Sequence, residues 1–130
     1  MSSVALYLPD QGRQAILAHA TASAPDECCG LLALDADGRI RFVYPLTNAN
    51  PSPVTFTIDP AEHFGAVKHA ESNDWEIGGV FHSHPRGPAH PSMIDVRESP
   101  GPEWLYIVTD LVDVRAFRIV ENSVVELQMV

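Results

Sequence analysis

The chain has 130 residues, of which 45% are hydrophobic and 19% charged, and its eight basic against 17 acidic residues give a formal charge of −9. That is the size and composition of one ordinary domain, expected to span 1–130 and able to bury roughly two thirds of its unfolded surface without disulfide or metal staples. The acidic excess, with no Lys/Arg cluster, argues against nucleic acid as a partner, and no run approaches the roughly 18 apolar residues of a membrane span.

Taken in chain order, Val4 to Leu8 reads as a short strand, and Gln11 to Ala22 as a helix with Ile16, Leu17 and Ala20 at helical spacing, ended by Pro25. Cys28 to Leu34 and Arg39 to Tyr44 flank Asp35-Ala-Asp-Gly38, a hairpin turn by composition. Pro45 to Pro53 reads as loop, and the alternation in Val54 to Ile58 as a further strand. Asp59, Pro60 and Glu62 open a helix expected to reach Asn73, since Asp caps, Pro suits the first helical position and Glu closes a capping box. Trp75 to His82 reads as a central strand whose Gly78-Gly79 permits close backbone approach or a bulge. A loop over 85–91, a short helix over 92–97 and strands over 104–109, 114–120 and 124–129 complete a mixed α/β (α+β) fold around one sheet.

Cys28 and Cys29 are adjacent, and neighbouring cysteines rarely have the geometry to pair; with no basic leader at the N-terminus, a reducing, cytoplasmic setting is expected. Strand alternation sends the two thiols to opposite faces, so at least one reads as core. His19, His63 and His69 read as surface or half-buried residues, whereas His90 lies in a loop where it could meet a substrate.

His82-Ser83-His84 ends a predicted strand, where a period of two puts both imidazoles on one face. Asp95, eleven residues after His84, can fold back to supply an oxygen. Three protein donors and an open position describe catalytic rather than structural zinc. Glu27, just after the break at Pro25, is the candidate acid/base for a metal-bound water. Other zinc folds share H-x-H but do not fit: the barrel amidohydrolases need roughly 250 residues; an H-x-H-x-D-H pattern would need Asp and His where Arg86 and Gly87 stand; and the deaminase P-C-x-x-C is missing. Read alone, Ser92 with Asp95 is also an N-terminal helix cap, a role compatible with a site.

The full string, Glu27, then His82-Ser83-His84-Pro85, then Ser92-Met-Ile-Asp95, resembles the JAMM, or MPN+, metalloprotease motif E…H-S/T-H-P…S-x-x-D. Pro25-Asp-Glu-Cys-Cys-Gly-Leu-Leu and Pro45-Leu-Thr-Asn-Ala are similar to the compact prokaryotic branch, and the Glu27 and Thr47-Asn48 segments to its CysO-cysteine hydrolases. The resemblance implies a curved mixed sheet flanked by helices, laid out like a cytidine deaminase. It also implies one zinc ion per chain held by His82, His84 and Asp95, with Glu27 activating water and Ser92 stabilising the oxyanion. The implied substrate is a ubiquitin-like sulfur-carrier protein or its conjugate, cut after its terminal Gly-Gly, with a lysine, a fused domain or cysteine as leaving group. Two alternatives stand beside this reading: a non-catalytic MPN scaffold, and a zinc amidase acting on small peptides. Family members often form homodimers, which no feature of the sequence establishes.

Overall fold

A computed structural model describes residues 5–130. Its elements are α1 (Asp10–Ser23), β1 (Cys29–Leu34), β2 (Ile40–Leu46), α2 (Pro60–Ser72), β3 (Glu76–Ser83), α3 (Met93–Arg97), β4 (Leu105–Thr109), β5 (Val114–Val120) and β6 (Ser123–Leu127). The strands form one six-stranded sheet in the order β2-β1-β3-β4-β5-β6, antiparallel except for the β3–β4 pair.

Both faces of the central strands are covered, which explains why β1 is apolar throughout rather than alternating. Ile16 and Ala20 of α1 pack with Leu32, Phe81 and Ile107 on one face, while Ala66 and Ala70 of α2 pack with Leu31 and Ala33 on the other. In the β1–β2 turn, Asp35 Oδ1 accepts from the Asp37 and Arg39 amides, and Gly38 supplies a φ of +81°. Asp59 caps α2 by accepting from Glu62 N at 3.0 Å. Between β1 and β3, Leu32 faces Gly79 and Ala33 faces Ile77, so Gly78 is the extra residue of a bulge.

Two expected strands are not strands. Val4 lies outside the described residues, and from Ala5 to Leu8 there is one isolated bridge, Leu6 to Met129. Buried Leu6 and Leu8 account for the apolar alternation; they share three backbone bonds with Gln128 and Val130, and Pro9, which has no N–H, ends the pairing there. Val54 to Ile58 begins in a bend and carries only the Asn48–Ile58 bridge. Where a neighbouring strand would pair, the side chain of Asn48 bonds instead, accepting from Thr57 N and donating to Thr55 O.

The sheet's tightest approach is at Gly30, where an added Cβ would enter the Phe81 ring and the Tyr44 carbonyl oxygen. Gly30→Ala is expected to lower unfolding free energy by at least about 2 kcal/mol through overpacking against backbone. Gly65→Ala, in α2 with no heavy atom within 4 Å of the new Cβ, should raise it by roughly 0.5–1 kcal/mol from helix propensity. Urea unfolding of the two variants checks both signs.

Candidate metal centre and active site

Three separate stretches of chain converge where β3 ends. His82 lies in the last turn of pleat of β3 and is fully buried. His84 follows the strand, its amide donating to Thr109 O at 2.8 Å so that the extended path continues beside β4. The period of two therefore keeps both rings on one side, with centroids 4.9 Å apart. Ser83 points the other way, and its Oγ accepts from Cys28 N at 2.8 Å. Because Cys29 pairs with His82 across the β1–β3 ladder, Glu27 is delivered beside the histidines, with Oε2 3.9 Å from His84 Nε2.

Asp95 arrives from α3. Ser92 and Asp95 form a reciprocal capping box: Asp95 N donates to Ser92 Oγ at 3.2 Å, and Ser92 N donates to Asp95 Oδ2 at 2.7 Å. The same Oδ2 lies 3.1 Å from His82 Nε2 and 3.7 Å from His84 Nε2. The helix cap thus fixes the carboxylate that faces both rings.

The electrostatics separate the two carboxylates. Burial pushes Glu27 up to about 7, opposed by His82 and reinforced by the charge of Asp95. Burial also works to raise Asp95, but the hydrogen bond and charge of His82, with the Ser92 amide, carry it below the usual carboxylate range. Burial, helped by His82, holds His84 below the usual histidine value and so neutral. Its Nδ1 is 2.9 Å from the Pro88 carbonyl. A carbonyl only accepts, so Nδ1 carries the hydrogen and Nε2 presents a lone pair toward Asp95 and Glu27.

Lone pairs facing carboxylate oxygens repel unless a cation lies between them. Donors held at about 2.0–2.2 Å around a tetrahedral ion stand roughly 3.3–3.6 Å apart, and the separations of 3.1 and 3.7 Å between Asp95 Oδ2 and the two Nε2 atoms bracket that range. Glu27, His82 and His84 also offer donors within 4.8 Å of one another, but the Glu27 contact, at 3.9 Å, is the longest of the set. Two imidazole nitrogens and a carboxylate oxygen suit a borderline metal such as zinc. His82 Nδ1 is buried with no hydrogen-bond partner among the described residues, so its ring is held by packing, with Phe56 4.8 Å away between centroids.

Two cavities meet at Glu27, Val54, Ser92 and Ile94. One, of about 370 Å³, is walled by Thr55 to Ile58, Val80, Trp104 and Tyr106; the other, of about 410 Å³, by His84 to Pro88 and His90. His90 is therefore beside the site, while His19 ties α1 to the sheet through Nε2, 2.8 Å from Leu46 O and 3.2 Å from Cys29 O. His63 borders the first cavity, and His69 bonds Tyr44 Oη through Nδ1. Cys28 and Cys29 are both buried and free. The sequence places Ser83 and Asn48 within family-like segments without a role for either; their bonds, from Ser83 to Cys28 and from Asn48 to Glu27, go to backbone atoms, which carry no residue pattern.

The family described as prokaryotic homologs of the JAB domain matches residues 9–120. The chain is 36% identical, over 94% of its length and 81% of the relative's, to a probable TtuB-protein conjugate cleaving protease of Thermus thermophilus. It is 33% identical, over 86% of its length and 81% of the relative's, to the CysO-cysteine peptidase of Mycobacterium tuberculosis. A protein of Desulfitobacterium hafniense solved in solution superposes with a TM-score of 0.84 at 37% identity, covering 96% of this chain and 91% of that one. A match over most of the chain, on a mixed sheet with this order of elements, leaves one family: the chain belongs to the compact prokaryotic branch of the JAMM/MPN hydrolases.

Proposed function

We propose that the chain is a zinc-dependent peptidase or isopeptidase that hydrolyses the amide bond after the terminal Gly-Gly of a ubiquitin-like or sulfur-carrier protein. The observation that carries this reading is the orientation of His84: its Nδ1 hydrogen is committed to Pro88 O, and its free Nε2 faces two carboxylates, 3.7 and 3.9 Å away. His82, His84 and Asp95 would hold the metal, the two nitrogens and one ionised oxygen being the nearest donors. When bound, zinc would polarise the scissile carbonyl and lower the pKa of an attacking water.

The remaining chemistry belongs to side chains. Glu27, with its carboxyl raised to about 7, can take a proton from the attacking water and return it to the leaving amine, because it is near balance between both forms at neutral pH. Ser92 Oγ accepts from Asp95 N, which leaves its own hydrogen free to donate to the oxygen that gains charge during attack, a contribution of roughly 2.7–4 kcal/mol in comparable sites. The names of the two relatives support a carrier conjugate as substrate. Geometry supports it too: the backbone of Phe56 makes no hydrogen bond among the described residues, so an extended glycine tail can add alongside it in the 370 Å³ cavity. Among the described residues no helix is long and apolar enough to cross a membrane, and two free thiols support a reducing, cytoplasmic setting.

Native mass spectrometry should find one zinc per chain, lost in the His82→Ala/His84→Ala double variant and weakened in Asp95→Ala; no uptake of supplied zinc would return the chain to the scaffold reading. Glu27→Gln should keep the metal while losing at least two orders of magnitude in rate, and a retained rate would remove Glu27 from the mechanism. A carrier whose last glycine is replaced by valine should resist cleavage; equal cutting would contradict a narrow channel.

In chelated protein, burial also makes Glu27 a pH-dependent element of stability. Its folded value of about 7 exceeds the ordinary 4.5, so its favourable contribution is complete below about pH 4.5 and is lost as pH rises through 7. The excess stability of Glu27→Gln over the parent should therefore grow by on the order of 3 kcal/mol across that window and stay flat outside it. Because His84 remains in both proteins, its opposite trend largely cancels in the difference. Urea titrations of the pair at several pH values measure it, and a flat difference would contradict the burial account.

A further inference from the structure

We infer that Asn48 is the positioning residue for Glu27, its side-chain amide fastening the backbone of the proposed base to the wall of the substrate groove. The inference rests on the reading of Glu27 given above. Asn48 Nδ2 donates to Glu27 O at 3.1 Å and to Thr55 O at 3.2 Å. Its Oδ1 accepts from Asn50 N at 3.1 Å and from Thr57 N at 3.0 Å. A primary amide has two hydrogens and two lone pairs, so every valence of this side chain is engaged, and every partner is backbone.

Those partners belong to two structures that must agree. Glu27 also donates its own N–H to Ser52 O at 2.8 Å, so both of its backbone groups are bonded into the 48–57 loop. On its other side Cys28 is exchanged with Ser83, through Cys28 N to Ser83 Oγ at 2.8 Å and Ser83 N to Cys28 O at 3.3 Å. Glu27 is thus held between a clamp on β3, which carries His82, and a clamp on the loop. Thr55, Phe56 and Thr57 wall the 370 Å³ cavity, whereas Asn48 does not line it. Asn48 therefore acts through other residues, setting where the base stands relative to the wall along which a tail would lie. Aspartate cannot replace it: a carboxylate keeps the acceptor half of the network but turns both donor bonds, to Glu27 O and Thr55 O, into oxygen-oxygen contacts.

The test is Asn48→Asp, read in two ways. In zinc-loaded protein acting on a linear fusion of a Gly-Gly-terminated carrier to a reporter peptide, kcat should fall at least tenfold, and by more than KM rises, while zinc stoichiometry stays at one. In a Glu27→Gln background the same substitution should cost no further rate. An undiminished second loss, or a loss that tracks missing zinc, would overturn the inference. Hydrogen exchange supplies a readout that needs no substrate: the Glu27 amide should exchange at least tenfold faster in the variant, with β1 and β3 amides unchanged. Unchanged Glu27 exchange, or equal acceleration through the sheet, would overturn it. If the variant does not fold, exchange in the parent protein decides: the Glu27, Asn50 and Thr57 amides should open together, and a spread above tenfold in protection would refute a shared anchor. A full rate in Glu27→Gln alone would sink the catalytic reading instead and leave the exchange result standing.

Discussion

The arrangement at the end of β3 turns on one atom, Asp95 Oδ2. It accepts the Ser92 amide at 2.7 Å and lies within 3.1 and 3.7 Å of the two imidazoles. A buried carboxylate is costly unless hydrogen bonds and opposite charge compensate it. The Ser92 amide, preorganised by the capping box, supplies part of that compensation without a charged side chain. A helix of only five residues, Met93–Arg97, therefore does what a longer element would do elsewhere. It fixes one oxygen in front of two nitrogens delivered by the strand.

Around that atom the protein splits two similar groups. Asp95 and Glu27 are both buried, yet the hydrogen bond and charge of His82 and the Ser92 amide hold one carboxyl down, while burial pushes the other up. Groups whose environments drive their pKa values apart are suited to different tasks. An anion that stays ionised suits a ligand, and a carboxyl near neutrality suits proton transfer. In the proposed mechanism, that difference rather than sequence order separates metal ligand from base.

Much of this was legible in the sequence because it depends on local periodicity. The shared face of His82 and His84 follows from a strand period of two, and the Ser92–Asp95 pair from the spacing of a capping box. Glu27 was a candidate from its position after the break at Pro25, strengthened by resemblance. Its proximity to the histidines is a consequence of register, Cys29 opposite His82, which the residues alone do not announce. The Val54–Ile58 strand failed for a related reason. Alternation reports which side chains are apolar, and here Val54, Phe56 and Ile58 line a cavity, Phe56 and Ile58 also packing against the core, without a partner strand beside them. The Leu6–Leu8 alternation likewise records burial, with only a short run of backbone bonds to Gln128 and Val130 beside it.

What remains illegible is the set of bonds from side chains to backbone. Asn48 engages main-chain atoms of Glu27, Asn50, Thr55 and Thr57, and main-chain atoms are the same at every position. Such a residue has no partner type to match and no fixed spacing. Its effect is nonetheless specific, because a loop with few ladder bonds must take its shape from somewhere. The sheet supplies the rigid half of the site through β1 and β3, and one amide transmits that rigidity to the half that has no sheet. In the proposed mechanism, a groove assembled this way would keep Glu27 in register with an extended tail while leaving the backbone of Phe56 free to bind it.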